Sequence, residues 1–346
     1  MIRNYIFESI LNKIADFFLK NNILEILECE FKKFEKVDMN EENLDKFKNF
    51  ISDMENKIKN FDMKISLYDS LIFYAMYTTQ NRKLKDYVRE DLSFKNKSNA
   101  IYLDYNVLQD YENDKDVINQ LINEKNFFVY SPIHAEEIIR ATEKKDYIVQ
   151  KNKVIDIISK YFSNILVIEQ DNRVYKEDFE NSIERAINNP IQRIVDIVKV
   201  LDFYELSPSP TRDAIKNYLN QIKVNNITLN NLSIAEILTK FPKLKEYFND
   251  IMKNTSPFNS RINSLFSFLD YIGYFSEKNA KRFKSSFYDC LHVEYAEGTK
   301  YFITKDKKLA KRAEVIYNFL NIRTGVYFLN KNKLELKKEY NLEISQ

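Results

Sequence analysis

Four acids in this chain stand at positions where a carboxylate could do chemistry. In Ala100-Ile101-Tyr102-Leu103-Asp104-Tyr105-Asn106 a short apolar run ends in Asp104, and in Tyr301-Phe302-Ile303-Thr304-Lys305-Asp306 a second such run ends two residues before Asp306. An acid at the end of an apolar strand either caps the next helix or delivers a carboxylate to a site. For Asp306 the capping explanation is strong, because a helical pattern begins at Lys307. Asp289 is harder to explain that way. In Ser285-Ser286-Phe287-Tyr288-Asp289-Cys290-Leu291-His292-Val293 it shares a helix face with His292, Val293 and Ala296, a position the pattern would fill with an apolar group. A carboxylate turned toward a core needs a partner, either a metal ion or a distant lysine. The helix Ser131-Pro132-Ile133-His134-Ala135-Glu136-Glu137 offers two more acids. Glu136 stands four before Arg140, an ordinary solvated pair, whereas Glu137 shares its face with Ile133 and Ala141. Glu137 is the better candidate, and Glu136 takes its place if the register shifts.

These acids need elements to place them. Ala100 to Leu103 reads as a strand, Val107 to Asn123 as a helix, Phe127 to Tyr130 as a strand, and Ser131-Pro132 as the cap and first residue of another helix. The same grammar returns later, with a helix from about Ser286 to Glu297 stopped by Gly298, the strand Tyr301 to Thr304, a helix from Lys307 to Leu320 and a strand from Gly325 to Leu329. Short apolar strands alternating with helices predict an α/β fold, a parallel sheet covered on both faces. The sheet residues form a discontinuous domain, 98–144 and 285–331. Residues 1–97 form a helical N-terminal region, 145–284 a helical insertion broken at Asn188-Asn189-Pro190, Ser207-Pro208-Ser209-Pro210 and Ser256-Pro257, and 332–346 a tail.

Composition removes several classes of function. The three glycines, Gly273, Gly298 and Gly325, are too scattered for a phosphate-cradling loop or a dinucleotide fingerprint, so nucleotide hydrolysis and Rossmann chemistry fall away. Cys29 and Cys290 match no zinc or redox spacing, which points to a reducing cytoplasm. No stretch predicts a secretory signal or a membrane span, so a soluble protein without a membrane partner is expected. With Lys+Arg 53 against Asp+Glu 51, any nucleic acid must be held by local clusters.

The order Tyr102-Leu103-Asp104-Tyr105-Asn106, then Ser131 to Ile138, then Tyr288 through Thr304-Lys305-Asp306, resembles the PIN-domain nucleases. Their pattern is an Asp after the first strand, a Glu on a following helix, an Asp on a later helix, and a Thr-x-Asp after the next strand. The resemblance covers about Asn99 to Lys144 and Ser286 to Asn330, and the long insertion and N-terminal region depart from it. It implies a PIN-like sheet with large all-helical additions and a divalent-metal-dependent endoribonuclease leaving a 5′-phosphate, with RNA as substrate and DNA as the other possibility. Asp104, Glu137, Asp289 and Asp306 would hold one or two Mg²⁺ or Mn²⁺ ions, hard cations that suit an all-oxygen ligand set. Asn106 and Thr304 would orient ligands or water from just behind them. By family analogy the role is toxin-like or responsive to stress or phage, with a protein inhibitor or partner on the helical regions, or a second copy of the chain.

Basic residues flank the acids: Lys278, Lys281, Arg282 and Lys284 before Asp289, and Lys305, Lys307, Lys308, Lys311 and Arg312 around Asp306. Arg282, Lys305 and Lys308 are candidates for phosphate contacts, against the plain explanation of a solvated helix face. His134 and His292, the only histidines, each lie three residues from a candidate acid, which raises the alternative of a di-metal carboxylate and histidine enzyme. No arginine precedes either histidine by four to six residues, against the helical ribonucleases that use that pair. A further alternative is an inactive PIN-like scaffold whose helical parts bind a partner.

Overall fold

Apolar strands that alternate with helices bury both faces of a sheet, and this chain does so in one of its two units. The computed structural model describes residues 12–35, 41–59, 67, 70–71, 74, 90–92, 94–140, 147–168, 173–187, 194, 197–198, 201, 210–224, 226–253, 260–275, 280–330 and 333–336. The contacts divide the chain into one unit of residues 1–86, 189–209 and 277–287 and another of 87–188, 210–276 and 288–346. The first unit contains α1 (Ile23–Glu35) and α2 (Glu41–Lys59), with a core that includes Leu27, Phe31, Phe47, Ile51 and Met54.

The second unit opens with β1 (Glu90–Asp91), β2 (Ala100–Leu103), α3 (Tyr105–Gln109), α4 (Tyr111–Ile118), β3 (Phe127–Val129) and α5 (Pro132–Arg140). There follow α6 (Tyr147–Phe162), β4 (Ile165–Val167), β5 (Val174–Lys176), α7 (Phe179–Ile187), α8 (Pro210–Gln221), α9 (Ile234–Lys240), α10 (Pro242–Lys253) and α11 (Arg261–Tyr271). It closes with the end of α12 (Ala280–Ala296), then β6 (Tyr301–Thr304), α13 (Lys307–Leu320), β7 (Gly325–Asn330) and β8 (Lys333–Leu336).

The main sheet has the order β3-β2-β6-β7-β8. Its first four strands are parallel, with Tyr102 opposite both Val129 and Phe302, and Ile303 opposite Tyr327; β8 turns back antiparallel on β7. The expected parallel sheet flanked by helices is therefore present. Side chains alternate across it, as a period of two requires. Ala100, Tyr102, Val129, Phe302 and Val326 face a core shared with α8 to α13, while Ile101, Leu103, Phe128 and Ile303 face one shared with α3, α4, α5, α6 and α7. Gly298, at φ 76°, ends α12 in the left-handed region that a side chain rarely adopts, as expected of a helix stop.

Two expectations need correction. The stretch 145–284, expected to be a helical insertion, also contains β4 and β5, which pair antiparallel with each other, and β5 pairs antiparallel with β1. The reason is local, since Ile165-Leu166-Val167 is a fully buried, largely β-branched run. Tyr130 joins β4 to the main sheet, donating its N–H to Ile165 O at 2.9 Å and accepting from Val167 N at 2.8 Å. Residues 145–188 and 210–276 share the sheet's unit rather than forming a body of their own. The tail begins with β8, whose Leu334 and Leu336 pair with Leu329 and Tyr327. The expected boundaries at 144/145 and 331/332 lie outside the described residues, as do 337–346. Among the described residues no helix is long and apolar enough to cross a membrane.

Because β6 is interior and Ile303 is fully buried, Ile303→Ala should cost roughly 2–5 kcal/mol. The same change at exposed Asn318 should stay within about 0.5 kcal/mol. Urea unfolding of the two variants checks this, and equal effects would remove β6 from the core.

Candidate active site

Strand order reverses between β2 and β6. The chain leaves β2 for β3 on one side, while β6 and β7 lie on the other, and the carboxyl ends of β2 and β6 are where an open α/β sheet takes its ligands. Asp104 sits there, 3 % exposed. Its N–H donates to Ile303 O at 2.8 Å, which ties the two strand ends together. Its Oδ1 accepts from Tyr105 N at 2.8 Å as the cap of α3, and its Oδ2 accepts from Asn106 Nδ2 at 2.8 Å and Thr304 Oγ1 at 2.7 Å. The Thr304 hydroxyl also accepts from Asp306 N at 2.9 Å. This is the physical content of the Thr-x-Asp spacing: one hydroxyl fixes the first acid's side chain and the last acid's backbone. Asp306 caps α13, and both of its side-chain hydrogen bonds, from Lys308 N at 2.7 Å and Leu309 N at 3.0 Å, fall on Oδ1. The capping explanation for Asp306 holds and leaves Oδ2 outside the cap.

Glu137 arrives from α5 and meets His292 of α12, whose Nε2 lies 2.7 Å from Glu137 Oε2 and 3.5 Å from Asp104 Oδ1. Of the adjacent acids Glu136 and Glu137, it is Glu137 that reaches this ring. His292 Nδ1 is 2.8 Å from the Tyr102 hydroxyl, which is 2.6 Å from Ser131 Oγ. His134 turns elsewhere: its Nε2 donates to Leu103 O at 2.8 Å and its Nδ1 accepts from Ser131 N at 3.0 Å. Burial, then the neighbouring His292, push His134 down to about 3, so it is a neutral structural histidine. That placement gives no support to a site with two histidine ligands.

Asp289 makes no hydrogen bond or ion pair among the described residues. Burial first, then the charges of Asp104 and Asp306, hold its carboxyl well above the usual range, with Arg312 and His292 offsetting part of this. Arg312 is itself paired with Asp270 and lies 4.6 Å over the Phe266 ring. For Asp104, burial raises the pKa, His292 lowers it, Glu137 raises it and Thr304 lowers it, and it settles at about 6. Burial opposes a charge on His292, but Glu137, Asp104 and Asp289 together outweigh burial and raise its pKa. The four acids thus fall into one electrostatic neighbourhood.

The basic candidates fare differently. Lys305 is held by Asp110 at 2.7 Å and Asp114 at 2.6 Å, so its ammonium is already neutralised by protein carboxylates. That pairing links the α3–α4 junction and α4 to the end of β6, and no local pattern in the chain signals it. Lys308 contributes its backbone N–H to the Asp306 cap. The side chain of Arg282 lies outside the described residues, as does Lys278.

The donor chemistry suits a hard divalent ion, since Asp289 is a partly accessible carboxylate without a partner among the described residues and feels the charges of two more acids. The positions do not yet converge: among the described residues no group of three or more His, Cys, Asp or Glu side chains stands where it would hold a metal ion. No protein-family model, curated protein or solved structure matches the chain.

The raised pKa of Asp289 has a stability consequence. A carboxyl that titrates higher when folded than unfolded makes the native state bind the extra proton, so stability falls as pH rises from the unfolded value, near 3.8, toward the folded one. Asn at 289 imitates the protonated acid. Asp289→Asn in chelator should therefore match wild type near pH 4 and melt a few degrees higher near pH 8, the shift that about 1 kcal/mol produces in a domain of this size. Thermal unfolding across that range tests it, and a lower melting temperature throughout would show that the carboxylate has a stabilising partner.

Proposed function

We propose that this chain is a divalent-metal-dependent nuclease with a PIN-like α/β domain, and that its substrate is RNA cut internally. The observation that supports this best is Asp289, an acid without a partner among the described residues, which feels the charges of Asp104 and Asp306 near the reversal of strand order. A purely structural role would be served as well by Asn or Leu there, and ionising Asp289 costs stability.

In this reading Asp104, Asp289, Asp306 and Glu137 hold Mg²⁺ or Mn²⁺, which when bound supplies an activated water and neutralises the phosphate. The protein's own part is to present the acids in fixed directions. Thr304 and Asn106 hold the Asp104 oxygens, the α13 cap leaves Asp306 Oδ2 available, and Asp289 waits for a counter-charge. Lys305, bound to Asp110 and Asp114, steadies the loop between Thr304 and Asp306 instead of gripping substrate. The toxin-like or defence role, with an inhibitor or partner on the helical parts, follows from the family resemblance.

One observation favours a second reading. The imidazole of His292 sits between Glu137 and Asp104, and the acids do not converge, as would suit a non-catalytic module in which the histidine has taken the cation's place.

Cleavage of labelled single-stranded RNA and DNA in Mg²⁺, Mn²⁺ or chelator separates the two. The nuclease should cut RNA only with metal, and Asp104→Asn and Asp289→Asn should each lower the rate by roughly two orders of magnitude or more, the loss of several kcal/mol of charge stabilisation. Absence of cutting under every condition, with no difference in Mn²⁺ affinity between wild type and Asp289→Asn, favours the module.

A further inference from the structure

Behind Glu137 runs a line of buried polar groups that metal-dependent hydrolysis does not itself require: His292, Tyr102, Ser131 and His134, each at most 1 % exposed. The positions of its protons follow from its partners. His134 Nε2 faces only the Leu103 carbonyl, so it carries the hydrogen, and its Nδ1 is the acceptor for Ser131 N–H. His292 Nε2 faces only carboxylate oxygens, Glu137 Oε2 at 2.7 Å and Asp104 Oδ1 at 3.5 Å, so it too carries a hydrogen whatever the charge on the ring. The partner of His292 Nδ1 is the Tyr102 hydroxyl at 2.8 Å, which can give or take a proton, and Ser131 stands behind that hydroxyl at 2.6 Å. When the ring is neutral, Tyr102 donates to Nδ1 and Ser131 donates to Tyr102. Edge contacts hold the ring plane, with centroids 5.8 Å from Tyr102 and 5.1 Å from His134. The line ends inside the protein, on the backbone of Leu103 and Ser131, so it is built to fix a direction rather than to carry protons to solvent.

We propose that His292 is the positioning residue of this site: it holds the Glu137 carboxylate beside Asp104 by donating Nε2–H, and Tyr102, backed by Ser131, sets the tautomer that makes the donation possible. The proposal rests on the nuclease reading, in which Glu137 is a metal ligand. Hydrogen bonds that orient a ligand from behind are worth about 10- to 100-fold in metal affinity. His292→Leu and Tyr102→Phe should therefore raise the Mn²⁺ concentration for half-maximal cleavage by about 10- to 100-fold while leaving the KM for RNA unchanged. His292→Gln, whose amide N–H can still reach Glu137, should recover most of the loss.

The two histidines allow a test that needs no cleavage. Full-length protein labelled with ¹⁵N-histidine gives two ring spectra. The Nε2–H signal of His292 should be protected from exchange in wild type, exposed in Glu137→Ala and weakened in Tyr102→Phe, while His134 is unchanged in Glu137→Ala. Mn²⁺ should broaden His292 more than His134. If His292→Leu folds and needs no more Mn²⁺ than wild type, or if its Nε2–H signal ignores Glu137→Ala, the positioning role is overturned. If Mn²⁺ broadens neither ring and nothing is cut, while the Nε2–H signal still depends on Glu137, it is the nuclease reading that fails, and the proposal loses its ligand and falls with it.

Discussion

A carboxylate buried where two parallel strands end is the constraint on which this unit is organised. Leaving Asp104 charged and unpartnered at 3 % exposure would cost several kcal/mol, so its surroundings must supply donors. Three come from nearby groups, the backbone of Tyr105 and the side chains of Asn106 and Thr304, and a fourth, weaker one comes from His292. Thr304 can serve only because β2 and β6 are in parallel register, Leu103 opposite Ile303. A shift of one residue would turn Thr304 to the other face and leave Oδ2 with Asn106 alone. The pairing of the two strands and the solvation of one acid are thus a single arrangement.

Charge around this acid does not balance. Asp104, Glu137, Asp289 and Asp306 lie in one neighbourhood, and among the described residues Arg312 is committed to Asp270 and Lys305 to Asp110 and Asp114. His292 is the counter-charge that faces the acids themselves, and it is drawn toward the protonated form by them. The raised pKa values of Asp104 and Asp289 express the same deficit from the other side. Among the described residues the fold neutralises its outer acids with lysine and leaves its inner ones short of cations.

What could be read from the sequence, and what could not, divides by range. The parallel strands and the helices between them were legible because the period of apolar residues changes sharply at Ala100 and again at Tyr301. Asp289 was legible as an acid on an otherwise apolar helix face. β4 escaped because three apolar residues beside a helix look like its continuation, and β8 because Lys333-Leu334-Glu335-Leu336 is only four residues long. The pairing of Lys305 with Asp110 spans 195 positions and that of His292 with Glu137 spans 155, and no periodicity reports contacts of that length. Reading Lys305 as a phosphate ligand followed from counting charges along the chain, where its neighbours are basic, instead of across the fold, where they are acidic. The one available hint for His292 was its spacing of three from Asp289, which placed both on one face without saying what they faced.

The breaches of local rules fall together. An acid on the core side of α12, a threonine hydroxyl at the end of a buried strand and a histidine between two carboxylates each lower the stability that an apolar residue would give at the same place. Scattered over the chain they would be unrelated costs. They meet instead where strand order reverses, the place at which an open α/β sheet has room for a ligand outside its strand ends. Thr304 and Asn106 satisfy Asp104, and the helix cap satisfies half of Asp306, but nothing among the described residues satisfies Asp289. The shortfall is therefore not diffuse: it is centred on one carboxyl, and the raised pKa of Asp289 is its expression.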